Sequence, residues 1–121
     1  MLLAVLNRHG GLSLQDHDVF AKVVGGLSLH ETASDLPVLL ALASSLRDKP
    51  LSATLVAFGE VGLTGEVRPV AYGEERLREA AKQGFRVAIV ANDNAPRKPI
   101  DGLQVKSVSR LSEALALAFG G

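Results

Sequence analysis

The sequence predicts a single mixed α/β domain. Short apolar runs rich in β-branched residues alternate with segments of helical periodicity, glycines punctuate nearly every junction, and 121 residues suffice for one core but not two. Hydrophobic content of 47% with 21% charged residues is that of a globular chain, not a disordered one.

From the N-terminus, Leu2 to Arg8 has the pattern of the last turns of a helix, stopped at Gly10-Gly11. Val19 to Val24 suits a strand ending at Gly25-Gly26. Residues 32–47 carry the best helix pattern. Thr32 or Ser34 is placed to cap it, Asp35 puts negative charge in the first turn, and Pro37 is tolerated where N–H groups lack partners. Its apolar residues, Leu36, Val38, Leu39, Leu40, Leu42 and Ala43, surround most of the helix and predict a central position.

Thr54 to Glu60 and Gly65 to Val70 read as two strands joined by a tight turn at Gly62-Leu63-Thr64-Gly65. Glu74 to Gln83 reads as an amphipathic helix ended by Gly84, with Glu74–Arg78, Glu75–Arg78 and Glu79–Lys82 spaced for ion pairing. Arg86 to Ala91 and Val105 to Val108 are short strands on either side of a loop, and Ser109 is placed to cap a last helix from Leu111 to Phe119.

Several chemistries are excluded or disfavoured. No cysteine means no disulfide and no thiolate ligand, which fits a reducing cytoplasm. The apolar start, Met1 to Leu6, is too short to span a bilayer. Thirteen basic and 13 acidic side chains leave no net field, so contact with a polyanion requires a local patch. Four Phe, one Tyr and no Trp leave little for base stacking. His30-Glu31 lacks the second histidine of a zinc-protease helix, Ser34 standing in its place. Asp16-His17-Asp18 suits a solvated turn better than a ligand set, and His9 suits a helix C-terminus. Glycines 59, 62 and 65 lie between strands, with no Gly-Lys-Ser/Thr opening a helix, so they are turn and bulge positions and not a phosphate loop.

Two segments carry a resemblance. Gly59-Glu-Val-Gly-Leu-Thr-Gly-Glu-Val-Arg-Pro-Val70 runs on through Ala71-Tyr-Gly-Glu-Glu-Arg-Leu-Arg-Glu-Ala-Ala-Lys-Gln-Gly84, and Glu31-Thr-Ala-Ser-Asp-Leu36 lies upstream. Both resemble the Lon protease domain. The closer resemblance is to the C-terminal Lon-like domain of the RadA (Sms) family of bacterial DNA-repair ATPases. It rests also on Asp18-Val-Phe-Ala-Lys-Val-Val-Gly-Gly26, Ala43-Ser-Ser-Leu-Arg-Asp48 and Asn94-Ala-Pro-Arg-Lys98, and covers essentially the whole chain. The resemblance implies the ribosomal-protein-S5-domain-2-like fold. It places the nucleophilic serine position at Ala33 and the dyad lysine position at Glu74.

A serine–lysine dyad needs a hydroxyl and a neutral amine within hydrogen-bond reach, and neither residue supplies one. Ser34 turns about 100° away from the direction of Ala33 along a helix, and Lys82, eight residues on from Glu74, lies roughly 12 Å along the axis. The expectation is a domain without peptidase activity; a peptidase with a relocated nucleophile is the remote alternative. Thr32 stands where the RadA pattern commonly has proline, and Asn92 stands where it has lysine, which removes one cation from the following loop.

The resemblance further implies a longer parent with a zinc motif and a RecA-like core, using ATP, Mg and Zn that this chain would not itself bind. Such a parent assembles as a ring, expected to be a hexamer, and acts in DNA repair and recombination. The chain's start within an apolar run and its end at Gly120-Gly121 suit an excised domain. DNA contact falls to Arg97 and Lys98 in the loop after the Arg86–Ala91 strand, and to Lys82 and Arg86 at the other end of that strand. The alternative is an assembly scaffold whose cations merely face solvent.

Overall fold

A computed structural model describes residues 32–120 of the chain. A 3-10 turn at Thr32–Ser34 leads into helix α1 (Asp35–Arg47). There follow β1 (Leu55–Ala57), β2 (Glu60–Val61), β3 (Val67–Arg68), helix α2 (Gly73–Lys82), β4 (Val87–Ala91), β5 (Gln104–Val108) and helix α3 (Leu111–Ala118). The expectations for Leu2 to Arg8 and Val19 to Val24, and those for His9, His17 and His30, lie outside the described residues. No helix among the described residues is long and apolar enough to cross a membrane.

β4 organises the fold. It lies between β1 and β5 in an all-parallel sheet, with Leu55 opposite Val87 and Val87 opposite Gln104. Both of its faces are covered, so Ala88, Ile89, Val90 and Ala91 are all buried in succession, as expected of a central parallel strand. Ile89 and Ala91 join Val108, the buried face of α1 (Leu36, Leu39, Leu40, Leu42, Ala43) and Leu111, Ala114 and Leu115 of α3 in one core. Ala88 and Val90 face the other way, toward Phe58, Leu103 and Leu77 of α2. The mixed α/β class read from the sequence is the class observed. α1 is central as its pattern predicts, although Ala41 remains exposed.

The segment expected as one strand, Thr54 to Glu60, is divided. Leu55–Ala57 belongs to the parallel sheet, while Glu60–Val61 turns away to form an antiparallel hairpin with Val67–Arg68. Gly59 is the hinge. Its N–H donates to the Ala33 carbonyl (3.0 Å) and its carbonyl accepts from Leu36 N–H (3.0 Å), so its polar groups face the α1 N-terminus and not a neighbouring strand. The second strand is shorter than Gly65 to Val70 because Pro69, which has no N–H, follows Arg68.

The caps also differ from expectation. Ser34 occupies the N-cap of α1 without a side-chain cap bond. Its backbone (φ −81°, ψ −7°) continues the preceding 3-10 turn, whereas a capping hydroxyl needs an extended backbone to reach back. Gly59 supplies the missing acceptor. At α3 the N-cap is Arg110, and Ser109 precedes it. Glu113 instead reaches back to accept from the Ser109 hydroxyl (2.8 Å) and from the N–H groups of Ser109 and Arg110 (each 3.0 Å), which holds its pKa below the ordinary value. On α2 the Glu74–Arg78 pair forms (3.8 Å), but Glu79 accepts from Gln83 (3.2 Å) and the Glu75–Arg78 and Glu79–Lys82 pairs are not among the ion pairs of the described residues.

The β2–β3 hairpin turns at Gly62–Gly65, as the glycine spacing predicts. Gly65 adopts φ +85°, and a Cβ on Gly62 would land on the Glu66 carboxylate. That carboxylate accepts from Thr64 (N–H 3.2 Å and hydroxyl 2.5 Å) and from Arg68 (2.8 Å), with Glu60 3.8 Å from the same guanidinium. The Thr64 hydroxyl first, and Arg68 second, hold the Glu66 pKa at about 2 instead of 4.5. The hairpin is anchored to the β5–α3 junction by Val67 N–H to Ser109 (2.9 Å) and Leu111 N–H to Gly65 (2.8 Å).

A depressed carboxylate pKa contributes stability above its unfolded value, and that contribution is lost as pH falls through the folded value. Thermal unfolding followed between pH 4.5 and about 2 should therefore show a steeper loss of melting temperature in the wild type than in Glu66→Gln. Parallel pH profiles would contradict this assignment.

Candidate nucleic-acid interface

The positions that the Lon resemblance aligns with a dyad are Ala33 and Glu74. Ala33 is 5% exposed, and its carbonyl is held by Gly59. Ser34 is half-buried one residue on, as the last residue of the 3-10 turn. Beside them, the Asp35 carboxylate accepts the Val61 N–H (3.1 Å). Burial raises its pKa, a shift opposed by that hydrogen bond and reinforced by Glu60. Glu74 lies in the first turn of α2, exposed and 3.8 Å from Arg78. A hydroxyl at position 33 would be shut from bulk water, and the charge at position 74 is opposite to that of a lysine.

The four cations singled out in the sequence are all exposed, and none of them forms an ion pair among the described residues. Lys82 ends α2 and Gly84 (φ +95°) turns the chain. Arg86 then enters the sheet, its N–H donating to Thr54 (2.9 Å) and its carbonyl accepting from Gln104 (2.8 Å). Arg97 and Lys98 lie on the long connection from β4 to β5. That connection leaves the sheet at Ala91 and re-enters opposite Val87, so it runs the length of the strand. Arg97 lines an open groove of about 440 Å³ with Pro96, Ile100, Leu103, Gln104 and Val105. Gln104, one of the lining residues, donates its N–H to the Arg86 carbonyl, while Arg86 itself does not line the groove.

Two features of this region escape a sequence reading. The connection begins with a 3-10 turn, Asn92–Asn94, and the Asn94 side chain clamps the segment ahead of α2. Its Oδ1 accepts from Val70 N–H and its Nδ2 donates to the Val70 carbonyl, both at 2.9 Å. A Cβ on Gly73 would lie 2.5 Å from Nδ2, so glycine is what lets the amide approach. Tyr72, between Val70 and Gly73, then takes φ +61° as the N-cap of α2. An asparagine that can pair with both backbone groups of a remote residue has no periodic signature, and a tyrosine gives no hint of a left-handed backbone.

Against known proteins, the family model described as subunit ChlI of Mg-chelatase matches residues 8–94. The chain belongs to that family. It is also 58% identical to the DNA repair protein RadA of Escherichia coli K12 over 117 residues, which cover 97% of this chain and 25% of that protein. Identity is 58% over 119 residues with the RadA of Pseudomonas aeruginosa (98% and 26%) and 46% over 123 residues with that of Bacillus subtilis 168 (100% and 27%). The resemblance to the Lon-like region of RadA is thereby shown, and the parallel sheet with its flanking helices is compatible with a Lon-like fold. The chain spans about a quarter of the length of these RadA relatives.

There is no cysteine, and no cluster of three metal-ligating side chains among the described residues. Glycines 59, 62 and 65 serve the hairpin and its hinge and do not open a helix.

Replacing Asn94 with Ala would strand the Val70 N–H and carbonyl in a partly buried site, at a cost of about 2 kcal/mol. Urea denaturation measures this, and a loss below the scatter of surface substitutions would show that water takes over the clamp.

Proposed function

We propose that this chain is a non-proteolytic Lon-like platform of a RadA-type, ATP-dependent DNA repair and recombination motor, contributing to ring assembly and contacting the DNA backbone. The carrying observation is the β4–β5 connection, which holds Arg97 and Lys98 exposed, Arg97 on the lining of an open groove, with no ion pair to either among the described residues. The name "DNA repair protein" borne by the RadA relatives supports the DNA half of the reading. Ala33 and Glu74 support the non-proteolytic half, because the first is buried without a nucleophile and the second is an anion paired with Arg78. Lys82 and Arg86 are secondary contacts in the same reading.

Exposed cations suit phosphates, since a backbone of uniform charge asks for charge and reach without base recognition. Arg97→Ala with Lys98→Ala should lower duplex affinity and reduce the slope of log affinity against log salt by about 0.9 for each phosphate no longer neutralised. Unchanged affinity and slope would favour the scaffold without DNA contact. The ring half has its own measurement: native mass spectrometry of a RadA-type polypeptide with and without residues equivalent to 1–121 should show loss of rings on truncation. In peptidase assays, neither the chain nor Ala33→Ser combined with Glu74→Lys should cleave casein, because two side chains do not create the shaped dry pocket a dyad needs. Stoichiometric labelling of Ser34 by a serine-directed probe would overturn the non-proteolytic assignment.

A further inference from the structure

Tyr72 is the most exposed of the large apolar side chains left open among the described residues, at 73%. Its backbone stands at φ +61°, where a bulky residue is an outlier and glycine would be unstrained. Its hydroxyl makes no hydrogen bond among the described residues. The fold therefore draws little packing and no polar contact from this side chain, while it holds the backbone that presents it through the two Asn94 bonds to Val70. Asn94 is also the start of the segment that carries Arg97 and Lys98. One clamp thus ties the segment bearing an exposed aromatic ring to the segment bearing two exposed cations.

A ring and cations on two segments joined by that clamp suit a ligand with both a flat π face and a negative backbone. Glu74 and Glu75 follow Tyr72 closely, Glu74 being engaged by Arg78, so the ring itself is not a place for phosphate. The bases of a duplex are stacked on one another and offer no face to a surface ring, whereas an unpaired base does. We propose that Tyr72 is a stacking residue for an unpaired base of a single strand whose phosphates run along Arg97 and Lys98. This rests on the phosphate reading of those two cations and adds a base contact to it.

The chain has one tyrosine and no tryptophan, so its tyrosine emission reports Tyr72 alone. The 121-residue chain is titrated with an oligo-dT single strand, with an abasic strand of the same length, and with duplex. The expected result is quenching by oligo-dT and none by the abasic strand. Tyr72→Gly relieves the positive-φ strain, so its melting temperature should not fall, yet its oligo-dT affinity should drop roughly tenfold with abasic affinity unchanged. Tyr72→Trp should retain the affinity. Equal affinity for oligo-dT and abasic strands, unquenched emission on binding, or a Tyr72→Gly variant that binds like wild type would each overturn the stacking role and leave the phosphate reading standing. No binding to any of the three ligands would remove the phosphate reading and the stacking role together.

Discussion

Gly59 is the position on which the architecture depends. A single residue there joins three elements that would otherwise have no reason to meet. Its N–H and carbonyl hold Ala33 and Leu36 at the start of α1, Phe58 before it is bonded to Ile89 of the central strand (3.3 Å), and Glu60 after it opens the hairpin. A Cβ there would be in ordinary contact with Leu36 at 3.5 Å but would stand 3.0 Å from the Val67 side chain, which would have to give by a few tenths of an ångström. Close packing of a helix terminus and a strand onto one backbone is the reason the α1 N-terminus needs no side-chain cap. The orphan donor of Leu36 is satisfied by the hinge itself.

Elements whose signal is local and periodic were legible in the sequence. α1, α2, α3, β4 and the Gly62–Gly65 turn fall where pattern and glycine spacing place them, with small differences at their ends. The divided Thr54–Glu60 segment was not legible, because Val56 and Val61 fit a single strand equally well and only the tertiary contacts of Gly59 decide the break. The missing Ser34 cap bond and the shifted α3 cap have the same origin. Ser34 and Ser109 are suitable residues, but the neighbouring backbone conformation and the reach of Glu113 allocate the bonds differently. Arg97 and Lys98 were placed by sequence on the correct connection. Their relation to Arg86 required knowing that this connection crosses back along the whole strand, and the Asn94 clamp and the Tyr72 backbone depend on tertiary structure that no local pattern encodes.

The corner around Ala33 is tightly committed to structure. Ala33 is a buried packing residue with its carbonyl committed, and Asp35 commits its carboxylate to the hairpin through Val61 despite the cost of burial. Once a helix terminus and a hairpin are joined through such groups, the geometry persists for reasons of stability whether or not a nucleophile is present. Such a corner is a rigid frame for the exposed loops beside it.

The central position of β4 has a consequence for how the chain reaches its native state. Val-Ala-Ile-Val-Ala is a short, uncharged, β-prone stretch that is safe only once β1 and β5 lie on either side of it. Both pairings are parallel, so neither can form through a tight turn; each waits for a long intervening segment to close, a slow class of event during synthesis or refolding. In that interval the stretch is the natural nucleus for association with other unfolded copies. The chain places Arg86 immediately before it and Asn92-Asp93 immediately after it. Charged or polar residues at both ends act as gatekeepers against strand-to-strand aggregation, so Arg86 serves the nascent chain before it serves any ligand.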